Sequence, residues 1–264
     1  MLVMLRPVWA YRGFVLGNVK REFQLKYRNS LLGAAWTVLQ PLAMILVYTL
    51  IFAQVMQAKL PGVEGMFGYS IYLCAGILTW GLFAEISTRS QNMFLENANL
   101  LKKISFPRLC LPLAVVATGL LNFSIIFGLF TAFLLVTGNF PGAAFVALLP
   151  LVALLVVFAA GLGMVLGVLN VFFRDVGQFF GIFITFWFWL TPIVYPISIV
   201  PEGLQTIMAL NPMLPFMTAV QGVLVWGSWP QWSSLLYPLG LAIGFSLLGL
   251  HLFRRHAGEM VDEL

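Results

Sequence analysis

The chain has 264 residues, 61% of them apolar and only 9% charged, against about 25% charged in an ordinary soluble domain. That is too few charges to cover a soluble surface and too much hydrophobicity for a disordered chain, so lipid is the solvent for most of it. The net charge of +5 does not indicate nucleic acid, because the basic residues sit between apolar runs and not on one water-exposed face.

Residues 1–28 alternate charged and apolar side chains, with no uninterrupted apolar core before a cleavage site, so no cleaved signal peptide is expected. Val15, Val19, Phe23 and Tyr27 recur every four residues, while Lys20, Arg21, Gln24 and Arg28 project elsewhere. This spacing predicts an amphipathic helix along the cytoplasmic interface, steadied by a Glu22–Lys26 pair at i, i+4; a simple lipid anchor is the alternative.

A crossing helix needs about 20 apolar residues. By that measure the chain is all-α and integral to a membrane, with six crossings. The first lies in 29–58, with Pro41 near its cytoplasmic end, and the second in 65–84. The charge-free run 109–173 is too long for one crossing, and the turn-forming stretch 137–142 divides it into the third and fourth. The fifth spans 176 to about 196, and the sixth about 233 to 253. Twelve of the 14 basic residues flank these runs on one face, Arg89 ends the second span on that face, and only Lys59 lies opposite. The positive-inside rule makes the rich face, with both termini, cytoplasmic. The transmembrane domain is then 29–256, followed by a tail at 257–264.

Segment 197–230 carries one charge, Glu202, and is interrupted by Pro201, Pro212, Pro215 and Pro230. It reads as short re-entrant helices dipping from the outer side, a form tolerated only against protein or a water-filled cavity. An amphiphilic loop lying on the headgroups is the alternative.

The chemistry of an enzyme is missing. No G-x-x-x-x-G-K-[ST] phosphate loop occurs, and neither His251 and His256 nor Cys74 and Cys110 have metal-ligand spacing. No carboxylate pair suits acid–base work, and the spans hold no string of ionisable groups of the kind that drives proton-coupled pumps. No catalytic residue, metal or cofactor is therefore expected in this chain, and uphill transport needs energy from another one. Glu85 and Arg89 stand at i, i+4, as a neutralising structural pair or a functional one. Gly163/Gly167 and Gly240/Gly244 have the spacing of close helix approach and predict tight packing within the subunit. Aromatics are abundant, with 24 Phe, 8 Trp and 7 Tyr, densest in the fifth span. Lipid-facing and belt positions account for most. Aromatic faces also stack on the C–H faces of sugar rings without fixing a register, which suits a sliding glycan.

Four motifs occur in order along nearly the whole chain. Tyr27-Arg28-Asn29-Ser30-Leu31-Leu32-Gly33 with Trp36, Leu39 and Pro41 is the first, and Leu101-Lys102-Lys103-Ile104-Ser105-Phe106-Pro107 with Pro112 the second. The third is Asn170-Val171-Phe172-Phe173-Arg174-Asp175-Val176 followed by Thr191-Pro192-Ile193-Val194-Tyr195-Pro196, and the fourth Asn211-Pro212. The chain resembles the permeases of ATP-binding-cassette (ABC) exporters of polysaccharides and polyol phosphates, and is most similar to those that export lipid-linked O-antigen. Capsule and teichoic-acid exporters share the plan.

The resemblance implies a homodimer in the bacterial inner membrane with two copies of an ATPase that carries ATP and Mg2+. It implies a gate at the N-terminal helix, a coupling loop at 97–108 and an outer gate segment at 197–230. Leu100, Leu101, Lys102, Lys103 and Ile104 would seat in the ATPase, with Leu100, Leu101 and Ile104 on one helical face. The cargo would be an undecaprenyl-pyrophosphate-linked glycan. Lys20, Arg21, Lys26 and Arg28 would receive its headgroup, and Trp36, Tyr48, Phe183 and Trp187 on the first and fifth spans would line the sugar pathway. A drug or small-lipid exporter of the same fold is a rival. So is an integral-membrane transferase, which would need a loop of clustered acids or histidines that this sequence lacks.

Overall fold

A computed structural model describes residues 12–26, 35–51, 67–103 and 110–264. No strand occurs among them. The helices are α1 (Arg12–Lys26), α2 (Trp36–Thr49), α3 (Gly68–Glu96), α4 (Ala98–Lys103), α5 (Cys110–Val136), α6 (Leu148–Phe172), α7 (Asp175–Trp189), α8 (Glu202–Met208), α9 (Met213–Trp226), α10 (Leu236–His256) and α11 (Glu259–Glu263).

Among the described residues four helical stretches have the length and apolarity of a crossing: Gly68–Glu96, Cys110–Val136, Gly142–Phe172 and Trp232–His256. The bent pair α8 and α9 makes a fifth if counted as one span. In their most apolar windows α3 is 67% buried and α5 only 17%, so α3 is the axis of the bundle and α5 its lipid-facing flank. α6 packs between α3 and α10. Gly163 and Gly167 permit the α3–α6 contact: a Cβ at Gly163 would lie 2.4 Å from the Ser90 Cβ, and one at Gly167 would lie 2.6 Å from the Ser90 carbonyl oxygen. The Gly240/Gly244 pair does not pack within the subunit; a Cβ at either meets nothing within 4 Å. On α10 the close approach to α6 is made by Ser246 and Gly249, facing Gly161 and Met164.

Several boundaries differ from the sequence expectation. The second span does not stop at 84. α3 continues to Glu96, because the Arg89 guanidinium bonds Glu85 one turn back and makes both charges tolerable inside a helix. The helix ends at Asn97, whose side chain donates to the Met93 carbonyl (2.8 Å) while its own carbonyl accepts the amides of Leu100 and Leu101. The fifth span is shorter than expected. α7 has 15 residues, about 22 Å at 1.5 Å per residue against a core of about 30 Å. It stops at Trp189 because Pro192 cannot continue a helix and biases Thr191 toward extended backbone. α2, with 14 residues and Pro41 inside it, is also short, though the expected span reaches beyond the described residues. The turn between the third and fourth spans falls where expected, with Gly138 and Gly142 at φ of 71° and 69°.

α1 forms and packs against α5, but its apolar residues do not collect on one face. In the sequence Phe14 and Leu25 fall outside the four-residue repeat of Val15, Val19 and Phe23, so the expected amphipathic pattern is weak. Two apolar clusters occupy opposite ends of the bundle. One joins the end of α3, α4, the start of α5, and the ends of α6 and α10 with α11, and the basic residues Lys102, Arg174, Arg254 and Arg255 belong to this end. The other, larger cluster holds the start of α3, the end of α5, the start of α6, and α9.

Candidate functional site

At the end of the bundle away from the basic residues, the chain unwinds after α7 and returns through α8 and α9, which meet at 104°. α8 is exposed, whereas α9 buries Met213, Phe216, Met217, Val220, Val223 and Leu224 against α3 and α6. α9 is thus packed against protein, while α8 lies open.

The unwound turn 190–196 is held by side chains. The Tyr72 hydroxyl lies 2.9 Å from the Tyr195 carbonyl and 3.2 Å from that of Pro192, and the Tyr69 hydroxyl donates to the Val194 carbonyl. Gln221 on α9 donates to the Ile193 carbonyl (3.3 Å). Asn211 is the central tie. Its Oδ1 accepts from Trp187 Nε1 (2.8 Å) and the Met213 amide (3.0 Å), and its Nδ2 donates to Thr191 Oγ1 (2.9 Å) and the Leu190 carbonyl (3.3 Å). Asn-Pro thus does two things: the proline separates α8 from α9, and the carboxamide binds the break to α7.

Between α2, α3 and α5 lies a cavity of about 340 Å³, open on one side. Trp36, Gln40, Met44 and Tyr48 line it from α2, one residue per turn. Glu85 from α3 and Asn122 from α5 give it a polar end, where Glu85 Oε1 accepts from Asn122 Nδ2 (2.6 Å) and from Arg89 (3.3 Å). A second, more polar cavity of about 290 Å³ lies nearer the basic end between α1, α3 and α5, and Asn18, Arg21, Arg89, Glu96 and Asn97 contribute to it.

The expected pathway residues separate into two groups. Trp36 and Tyr48 share the α2–α3–α5 cavity, whereas Phe183 and Trp187 stand on α7. Phe183 is exposed, but Trp187 is buried among Trp80, Phe83 and Phe183, with its indole N–H on Asn211. Trp187 is therefore packed in the core of the single chain. Of the expected headgroup residues, Arg21 lines the polar cavity and Lys20 is exposed nearby on α1; Lys26 ends that helix, and Arg28 lies outside the described residues.

The coupling segment forms the short helix α4, but Leu101 is not a free knob. It is buried with Phe94, Phe253 and Met260, and Leu100 packs against the same cluster. A six-residue helix with an apolar side next to an apolar cluster buries that side in its own subunit, leaving Asn99 and Lys102 exposed. Lys103 ends the helix, and Ile104 lies outside the described residues.

Sequence reasoning did not reach Gln40, Tyr72, Asn122 or Gln221. The available signal was polarity itself, since a polar side chain inside an apolar run needs a partner.

A bundle of apolar helices long enough to cross a membrane, with a broken, side-chain-tied segment at one end, is the architecture of a multi-pass membrane protein. Residues 15–225 match the family model described as ABC-2 type transporter, and the chain belongs to that family. It is 34% identical over 226 residues to the O-antigen export system permease protein RfbA of Myxococcus xanthus, covering 84% of each chain. The protein of the same description from Klebsiella pneumoniae is 31% identical over 237 residues, 89% of this chain and 88% of that one. The polysialic acid transport protein KpsM of Escherichia coli is 22% identical over 250 residues, 91% of this chain and 92% of that one.

Proposed function

We propose that this chain is the membrane subunit of an exporter that moves a lipid-linked polysaccharide, of the O-antigen class, across the bacterial inner membrane. Two copies form the permease, and two copies of a separate ATPase, carrying ATP and Mg2+, drive it from the cytoplasmic side. The observation that carries the reading is the similarity to O-antigen export permeases, 30–34% identity over 84–89% of the chain. The lower identity to the capsule-type protein, 22%, favours O-antigen over capsule.

On this reading an undecaprenyl-pyrophosphate headgroup is received at the basic end, where Lys20 and Arg21 on α1 add positive charge near the surface. The sugars then pass along aromatic walls, where many weak contacts favour loading without preventing release. The segment 197–230 forms the outer gate, and α4 with its exposed Lys102 meets the ATPase. Deletion of the gene tests the assignment. Surface glycan is expected to disappear and lipid-linked glycan to accumulate inside, both reversed by the gene in trans. Unchanged surface glycan in the deletion strain rejects it.

A further inference from the structure

The cavity between α2, α3 and α5 has a chemistry that narrows its occupant. Its walls carry aromatic faces, Trp36, Tyr48 and Phe123, and the polar groups of Gln40, Glu85 and Asn122, the last two joined at one end. Glu85 and Asn122 hold each other at 2.6 Å, and Arg89 steadies the same carboxylate oxygen from the turn below, so the polar end is fixed before anything binds. The Glu85 side chain remains 29% accessible. A carboxylate in the wall disfavours a phosphate. An alkyl chain would cover Glu85 and Gln40 without offering either a hydrogen bond, which is unfavourable. A neutral ligand rich in hydroxyls satisfies both features, by stacking its C–H face on the rings and donating hydroxyls to the carboxylate and amide. The volume of about 340 Å³ is at the lower end for small-ligand cavities, about 300–1,000 Å³.

We propose that this cavity is a sugar-binding subsite that takes a short stretch of the exported glycan, with Glu85, Asn122 and Gln40 as its hydrogen-bonding groups and Trp36 and Tyr48 as its stacking faces. The inference rests on the export of a glycan argued above and adds a place of contact and the residues that make it. Gly81 provides the means to test it. It lines the cavity midway along α3, and a Cβ there meets nothing within 4 Å, so a larger side chain enters the cavity and not the packed core.

Gly81→Leu is expected to reach the membrane at normal level, since Leu forms helix better than Gly, but to reduce surface glycan and trap lipid-linked glycan inside. If Gly81→Leu exports glycan of normal amount and length, the subsite is rejected. The deletion strain keeps the two ideas apart: glycan lost on deletion but kept with Gly81→Leu rejects the subsite alone, and glycan kept on deletion rejects export itself. Should Gly81→Leu fail to accumulate, Gly81→Cys decides, in the complex with its ATPase in lipid nanodiscs and with Cys74 and Cys110 replaced by Ala. Oligosaccharide released by mild acid from the lipid-linked glycan should slow alkylation at position 81 by a factor of 1 + [L]/Kd, about tenfold at ten times Kd. No protection, or equal protection by sugar-free polyprenyl phosphate, overturns the proposal, the latter in favour of a lipid chain.

Discussion

Asn211→Ala tests the tie between α7 and the broken segment before the last helix. The carboxamide makes four hydrogen bonds, two accepted from Trp187 and Met213 and two donated to Thr191 and Leu190. Removing it strands the indole N–H of Trp187, a residue only 9% exposed, at a cost of about 1–3 kcal/mol. The Met213 bond adds roughly 1 kcal/mol. The Thr191 hydroxyl keeps its bond to the Trp187 carbonyl (2.7 Å), and the Leu190 contact is long and exposed, so neither adds much. A loss of about 2–4 kcal/mol, at roughly 2–4 °C per kcal/mol for a chain of this size, lowers the melting temperature by about 4–16 °C. The assay is thermal unfolding of the detergent-solubilised permease. Trp187→Phe keeps the ring and removes the donor, so Asn211→Ala should cost less in that background, with a coupling of about 0.5–3 kcal/mol. A shift below about 1 °C, or the same shift in both backgrounds, refutes the role given to this tie.

Three further outcomes are expected. Gly163→Leu should lower the folded yield, because its Cβ would meet Ser90 at 2.4 Å, whereas Gly240→Leu should change stability by no more than about 0.5 kcal/mol; quantitative immunoblots of membranes and thermal unfolding compare them. Leu101→Glu should destabilise the subunit by about 3 kcal/mol or more by placing a charge in the cluster around Phe94 and Phe253, while Lys102→Glu should leave unfolding unchanged and reduce copurification of the ATPase. Arg21→Glu reverses a charge at the polar cavity, so binding of vesicles containing polyprenyl pyrophosphate should weaken by roughly 2 kcal/mol, about 30-fold, with orientation in the membrane unchanged.

What the sequence made legible was what strong local physics decides. A turn of Thr-Gly-Asn-Phe-Pro-Gly favours a helix stop, so the division at 137–142 was readable, and so were the interruptions at Pro201, Pro212 and Pro230; Pro215 instead lies in the first turn of α9, where a proline is tolerated. The grouping of basic residues was readable because charge is costly in lipid, and Lys102, Arg174, Arg254 and Arg255 do fall at one end of the bundle. Helix rotation was not readable. Trp187 and Phe183 are one turn apart, yet one is buried on Asn211 and the other open, a difference made by a partner 24 residues away. The same limit separated the two glycine pairs: Gly163/Gly167 meets α3 while Gly240/Gly244 meets nothing, although their spacing is identical. Glu85 shows how the two kinds of information combine. As a charge in an apolar run it marked a place where the helix had to supply a partner, and Arg89 at i+4 was visible in the sequence. Asn122 lies 37 residues away on another helix, and only the fold shows that the carboxylate is shared between an ion pair and the wall of a cavity. The pair that spacing alone left as either structural or functional is thereby placed at the polar end of the candidate sugar subsite, and the second neighbour, not the first, is what points it there.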